Sequence, residues 1–149
     1  MPSPFVTERA LANTYASRSY ETAYQRVLLY RKAQRAKLRH PDKGSYALAS
    51  ELDVGRNAIR EWVDGDAVPN PVRAIQITDR RGWLDLDYDS DAFEPLNRLV
   101  AGIFSGGSIG ADQHVPVFTT NGRSDSDALR DDLDALGVGY TTTHADDPD

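Results

Sequence analysis

Apolar residues recur at helical spacing through Ala23, Tyr24, Val27, Leu28 and Tyr30, which predicts a long helix over residues 19–39. It is expected to stop at His40-Pro41-Asp42-Lys43-Gly44, because proline disfavours a helical residue before it and glycine supplies the turn. Residues 1–14 show little periodicity and are expected to form a loose arm. Two short helical segments follow, Ser45 to Leu52 and Arg56 to Val63, separated by Asp53-Val54-Gly55. Asp64-Gly65-Asp66 ends the second of them. Pro69-Asn70-Pro71 opens a further helix over about residues 71–81, with Asn70 as its cap and Pro71 in the first turn, where a missing N–H is harmless.

The second half begins a new helix after Ser90. Phe93, Leu96, Leu99, Val100, Ile103 and Phe104 line one face, Ala101, Gly102, Ser105 and Gly106 offer small surfaces beside it, and Gly106-Gly107 ends it. Strand-like residues come next at Ser108-Ile109 and over 114–120, with Asn121-Gly122 as a turn and Pro116 marking an edge or bulge. Ser124 or Ser126 is expected to cap a helix with Leu129, Leu133 and Leu136 inward, Gly137 to end it, and Val138 to Thr143 to form a last strand. The expected fold class is α+β: an all-α domain over 1–83, an acidic linker over 84–89, a small α/β module over 90–144 and a disordered acidic tail over 145–149.

Charge divides the chain at the same place. Residues 1–83 carry 14 Lys plus Arg against 9 acids, a balance of +5, whereas residues 84–149 carry 3 against 14, a balance of -11. A basic half of this kind suits a polyanion, and the basic run Arg18, Arg26, Arg31, Lys32, Arg35, Lys37, Arg39 and Lys43 is opposed only by Glu21 and Asp42. Charged-residue usage is skewed, with 18 Asp to 5 Glu and 14 Arg to 3 Lys, and so resembles that of proteins from extreme halophiles. That resemblance implies high working salt, under which phosphate contacts weaken steeply. No cysteine is present and the three histidines are scattered, which removes disulfide, thiolate and zinc-finger chemistry. No apolar run approaches a membrane span and Met1-Pro2-Ser3-Pro4 lacks the features of a signal peptide, so the expected location is cytoplasmic.

Residues 45–63 resemble the DNA-binding helix–turn–helix family. Ala49 stands where the two helices must cross closely, and Leu48, Leu52, Val54, Ile59 and Trp62 supply the apolar underside of the second helix. Asp53 occupies the turn position where the family usually has glycine; aspartate tolerates the left-handed backbone. The resemblance implies double-stranded DNA as partner. Arg56, Asn57 and Arg60 would read bases, since arginine grips guanine O6 and N7 together and asparagine pairs with adenine N6 and N7. Ser45, Arg35, Arg39, Lys43 and Arg80 would hold phosphates.

The run Leu99-Val100-Ala101-Gly102-Ile103-Phe104-Ser105-Gly106-Gly107, with the strand, helix and strand expected after it, resembles one degenerate copy of the LAGLIDADG homing-endonuclease fold. In that family small residues pack two such helices together, and an acid at the helix end holds a divalent metal. Here the metal-binding position falls on Gly107 and the earlier acid on Ser105, so cleavage is not expected and no cofactor is implied. What the resemblance leaves is a homodimer through Leu99, Ala101, Gly102, Ser105 and Gly106. His40-Pro41-Asp42 after a basic helix also resembles the J-domain co-chaperone loop, but that family needs a long helix after it, where this chain has a turn at Asp53-Val54-Gly55. The expected protein is a sequence-specific, dimeric, DNA-binding transcriptional regulator rather than an enzyme; the alternatives are a LAGLIDADG-type endonuclease or its vestige, and, further off, a co-chaperone.

Overall fold

The computed structural model describes residues 6–16 and 21–143; Arg18, residues 19–20 of the expected long helix, His144 and the expected tail at 145–149 lie outside the described residues. Among the described residues the fold is mostly helical, with one small two-stranded antiparallel sheet, a general α+β composition. The chain divides into two compact units, Met1–Asp85 and Leu86–Asp149.

The first unit contains α1 (Glu8–Ala12), α2 (Ala23–Arg39), α3 (Ser45–Glu51), α4 (Arg56–Val63) and α5 (Asn70–Arg80). Helix α2 starts at a capping box: the Thr22 hydroxyl accepts from the Gln25 N–H and the Gln25 side chain accepts from the Thr22 N–H. It then buries two faces. Ala33 and Ala36 pack against Leu48 and Ala49 of α3 and against Ile59, Trp62 and Val63 of α4. Val27, on the other face, packs with Ala12 of α1 and with Val72 and Ile75 of α5. Because Ala33 and Ala36 are so small, α4 can lie close to the α2 backbone, and burying each large apolar side chain there contributes about 1.5–3 kcal/mol.

Trp62 joins the first of these clusters to α2 by three contacts. Its ring meets Tyr30 edge-on at 5.5 Å, the Arg26 guanidinium lies 4.9 Å over it, and its carbonyl accepts from Gln34 Nε2 at 3.2 Å. The last contact satisfies a carbonyl in the final turn of α4 that has no helical partner.

The turn between α3 and α4 closes through Asp53. Val54 N–H donates to the Ala49 carbonyl at 3.0 Å and Asp53 N–H to the Ser50 carbonyl at 3.3 Å, the paired pattern of a Schellman ending. Asp53 takes φ 55° to make it, whereas the equivalent position after α5 is glycine, Gly82, at φ 72°. The left-handed turn expected from the sequence is therefore present, with an aspartate bearing the steric cost.

Several expectations are corrected here. Part of the expected loose arm is helix α1: Thr7 accepts from the Ala10 N–H, Ala12 is fully buried, and Glu8 makes a two-pronged ion pair with Arg31 at 2.8 and 2.9 Å. Tertiary contacts hold a helix too short to signal itself by periodicity. Asn70 does not cap α5; it lies within the helix, which makes no side-chain cap. The beginning of the expected linker belongs to the first unit, because Leu84 packs into the α1–α2–α5 cluster and Asp85 N–H donates to the Val6 carbonyl at 3.0 Å.

The second unit contains α6 (Phe93–Ser105), β1 (Ser108–Ile109), β2 (Pro116–Val117) and α7 (Arg123–Ala135). Ser108 pairs with Val117 and Ile109 with Pro116. Arg98 of α6 grips Asp132 of α7, with Nη2 2.7 Å from Oδ1. Leu133 and Leu136 are buried, and Val138 N–H closes the end of α7 on the Leu133 carbonyl. The expected strand over 114–120 shrinks to two residues, and residues 138–143 form no strand, since no ladder partner lies beside them among the described residues. Helix α7 begins at Arg123, ahead of both expected caps, and Ser126 instead shares a hydrogen bond with Thr120 at 2.9 Å. No helix among the described residues is long and apolar enough to cross a membrane.

Truncating Trp62 to alanine is expected to lower the stability of the protein by about 3–5 kcal/mol in urea unfolding, the cost of an aromatic cavity in a packed core. Asp53→Gly is expected to leave stability unchanged or raise it by up to about 1 kcal/mol, whereas Asp53→Val lowers it, as only the second forces a branched side chain into the left-handed region. Equal melting of both Asp53 variants would refute this account of the turn.

Candidate nucleic-acid interface

Helix α4 buries Ile59, Trp62 and Val63, and its 3.6-residue period then turns Asn57, Arg60 and Glu61 away from that face, while Arg56 lies beside it, one heptad before Val63; all four are exposed. Among the described residues no hydrogen bond or ion pair engages the side chain of Asn57 or of Arg60. Both are thus presented with their donors and acceptors open on a helix whose other face is core.

Arg56, at the start of α4, is differently placed. Its Nε donates to Ser45 Oγ at 3.0 Å, and the Ser45 hydroxyl in turn donates to Asp64 Oδ2 at 2.5 Å. The second Asp64 oxygen accepts from the Ser45 backbone N–H at 2.9 Å, and Arg56 Nη2 stands 3.8 Å from the same carboxylate. Helix α3 has no capping side chain of its own, since Gly44 precedes it, so Asp64 supplies that acceptor from beyond the end of α4. The Ser45 hydroxyl and N–H, and then the charges of Arg56 and Lys37, hold the Asp64 carboxyl below the usual aspartate range.

This arrangement corrects the expected role of Ser45. Its side chain is 1% exposed and its hydroxyl both donates and accepts within the protein, so it is not open to a phosphate. The remaining phosphate candidates do not form one rim. Arg35 lies almost opposite Ala33 on the α2 wheel and so faces away from α3 and α4, a correction that follows from which side of α2 the core occupies. Arg39 and Lys43 gather with His40 around Glu51 at 3.9, 3.5 and 3.9 Å, which partly neutralises them. Arg80 is exposed on the last turn of α5, with its Nε 3.3 Å from the Gln76 carbonyl.

Two residues of the α3–α4 segment were not singled out from sequence. Tyr46, beside Ser45 on α3, is 79% exposed despite its size. Asp64 has a sign in the sequence: it follows the last residue of α4 as its C-cap, and a carboxylate is unfavourable at the negative end of a helix unless it has another partner.

In the second unit the expected dimer residues separate. Leu99 sits half-buried in the centre of the face that α6 turns toward its own unit, and a side chain on Gly102 would meet the Phe118 ring at 3.3 Å. Both are corrected as interface residues, because the unit's own packing uses them. Ala101, Ser105 and Gly106 are exposed, and with them Val100 and Phe104, the latter 87% exposed. At Gly107 a Cβ would lie 2.7 Å from the Val117 carbonyl oxygen and 2.9 Å from Ile103 Cα, so the β1–β2 hairpin packs onto α6 at a point with no room for a side chain. Among the described residues no group of three His, Asp or Glu side chains is placed to hold a metal ion. The His40-Pro41-Asp42 loop leads into α3, which is only seven residues long. Compared with models of protein families, with curated proteins and with solved structures, the chain matches none.

Because the folded Asp64 carboxyl sits below its ordinary value near pH 3.9, the stability it confers is complete above about pH 4 and is lost as pH falls through the lowered value. Glu8, lowered chiefly by its hydrogen bonds with Arg31, acts in the same direction. The difference in urea midpoint between the native protein and Asp64→Asn is therefore expected to be constant from pH 7 to pH 5 and to shrink below pH 4. A difference that grows on acidification would contradict the assigned contacts.

Proposed function

We propose that the chain is a sequence-specific double-stranded DNA-binding protein, a dimeric transcriptional regulator without nuclease activity, that reads the major groove with α4. One observation carries this reading: Asn57 and Arg60 project, with no hydrogen bond or ion pair among the described residues, from a short helix held by core packing on its other face. A duplex offers the partners these side chains lack, adenine N6 and N7 to asparagine and guanine O6 and N7 to arginine. The α3–turn–α4 arrangement, with Asp53 left-handed and Ala49 buried at the crossing, is consistent with a helix–turn–helix reader.

The outward α6 face of Val100, Ala101 and Phe104, flanked by Ser105 and Gly106, supports pairing of two copies. Ser105 and Gly107 stand where a LAGLIDADG enzyme would carry its acids, and the close approach at Gly107 supports a non-cleaving role.

Selection from random duplex DNA at several KCl concentrations, with magnesium present, is expected to enrich one uncut sequence containing two half-sites related by a dyad. Arg60→Ala is expected to weaken that site by about 1–3 kcal/mol while leaving binding to random DNA nearly unchanged. Failure to enrich any sequence, or cleavage of the enriched one, would overturn the proposal.

A further inference from the structure

Resting on the DNA-binding reading, we infer that Ser45 and Asp64 are positioning residues that fix Arg56 for a two-pronged contact with guanine. Of the three guanidinium nitrogens of Arg56, Nε is committed to Ser45 Oγ at 3.0 Å, while no hydrogen bond engages either terminal nitrogen among the described residues. Guanine presents O6 and N7 side by side in the major groove, and a guanidinium end bearing two open N–H donors matches that pair. Holding Nε removes rotational freedom from a long side chain before it meets the base, so less ordering remains to be done on binding.

Ser45 can do this because it is itself fixed. Its hydroxyl proton goes to Asp64 Oδ2 at 2.5 Å, which leaves its oxygen lone pairs facing Arg56, and its backbone N–H is held by Asp64 Oδ1 at 2.9 Å. Burial of Ser45 keeps water from competing for these bonds. Asp64 also places a negative charge 3.8 Å from Arg56 Nη2, close enough to orient the guanidinium and too far for the hydrogen bond that would occupy it. The relay therefore acts on one base pair. Asn57 and Arg60, which share no contact with it, would read theirs independently.

The test compares base preferences at every position of the selected site for the native protein, Arg56→Ala, Asp64→Ala, Ser45→Ala and Asp66→Ala, each first checked for native circular dichroism and cooperative melting. Asp66 is an exposed neighbouring acid, so its removal changes local charge by the same amount without touching the relay. A guanine preference lost in Arg56→Ala is expected to fall about tenfold in Asp64→Ala and Ser45→Ala at that same base pair, with the other positions unchanged. Adding Asp64→Ala to Arg56→Ala should cost nothing further there. Asp66→Ala is expected to raise affinity for all sequences alike and keep the native profile. An Asp64→Ala profile equal to the native one, or a loss spread over all positions, overturns this inference alone. Should Asp64→Ala or Ser45→Ala fail to fold, Asp64→Asn, which keeps an acceptor for the Ser45 N–H, gives the same comparison. If the native protein enriches no site, the DNA-binding reading falls and takes this inference with it.

Discussion

The first unit depends on the burial of α4 against a strip of α2 whose side chains are little more than methyl groups. Ala33 and Ala36 let two helices approach closely enough for Ile59, Trp62 and Val63 to leave water together. Without that approach an eight-residue helix would not persist, because helices of this length are marginal when isolated. The same packing decides which side chains face outward. Asn57, Arg60 and Glu61 are on the surface because the other half of α4 is spoken for, and Arg56 emerges at the edge of the buried half beside α3.

How far the sequence reveals this structure depends on whether a residue's role is local. The α3–turn–α4 segment was legible, since its apolar spacing and the turn at Asp53 are set within a few residues. Helix α1 was not: its five residues are ordered by Ala12 burial and by Arg31, which lies 23 positions on. Nor was the Ser45–Asp64 contact, which spans 19 positions. In α6 the periodicity placed Leu99, Val100 and Phe104 on one face, but the wheel divides them: Leu99 turns inward, whereas Val100 and Phe104 are exposed. The final strand failed for a different reason. Val138 to Thr143 has strand-forming residues, yet a strand needs a neighbour, and the hairpin of β1 and β2 ends elsewhere.

Charge in the first unit is similarly reorganised by folding. The basic run reads as a single cationic surface along the sequence, but Arg31 is tied to Glu8, Arg26 lies over Trp62, and Lys37 donates to the Lys43 carbonyl. Much of the run is therefore structural, joining elements rather than awaiting a polyanion. In the proposed DNA-binding role, this would shift the weight of recognition onto α4 and away from the α2 cations. It also fits a chain whose Asp- and Arg-rich usage resembles that of proteins from salt-loving organisms, where diffuse attraction to phosphate is weakest.

Helix α2 is shared by both apolar clusters of the first unit, and Tyr30 touches each of them. A helix that serves as a common wall prevents its two sides from melting separately. Loosening α1 or α5 withdraws support from α2, and α2 carries that loss across to α4, so the outward-facing helix inherits the rigidity of α1 and α5 through α2. Amide protons in α4 would then exchange at the pace of the entire unit rather than at that of a small surface helix.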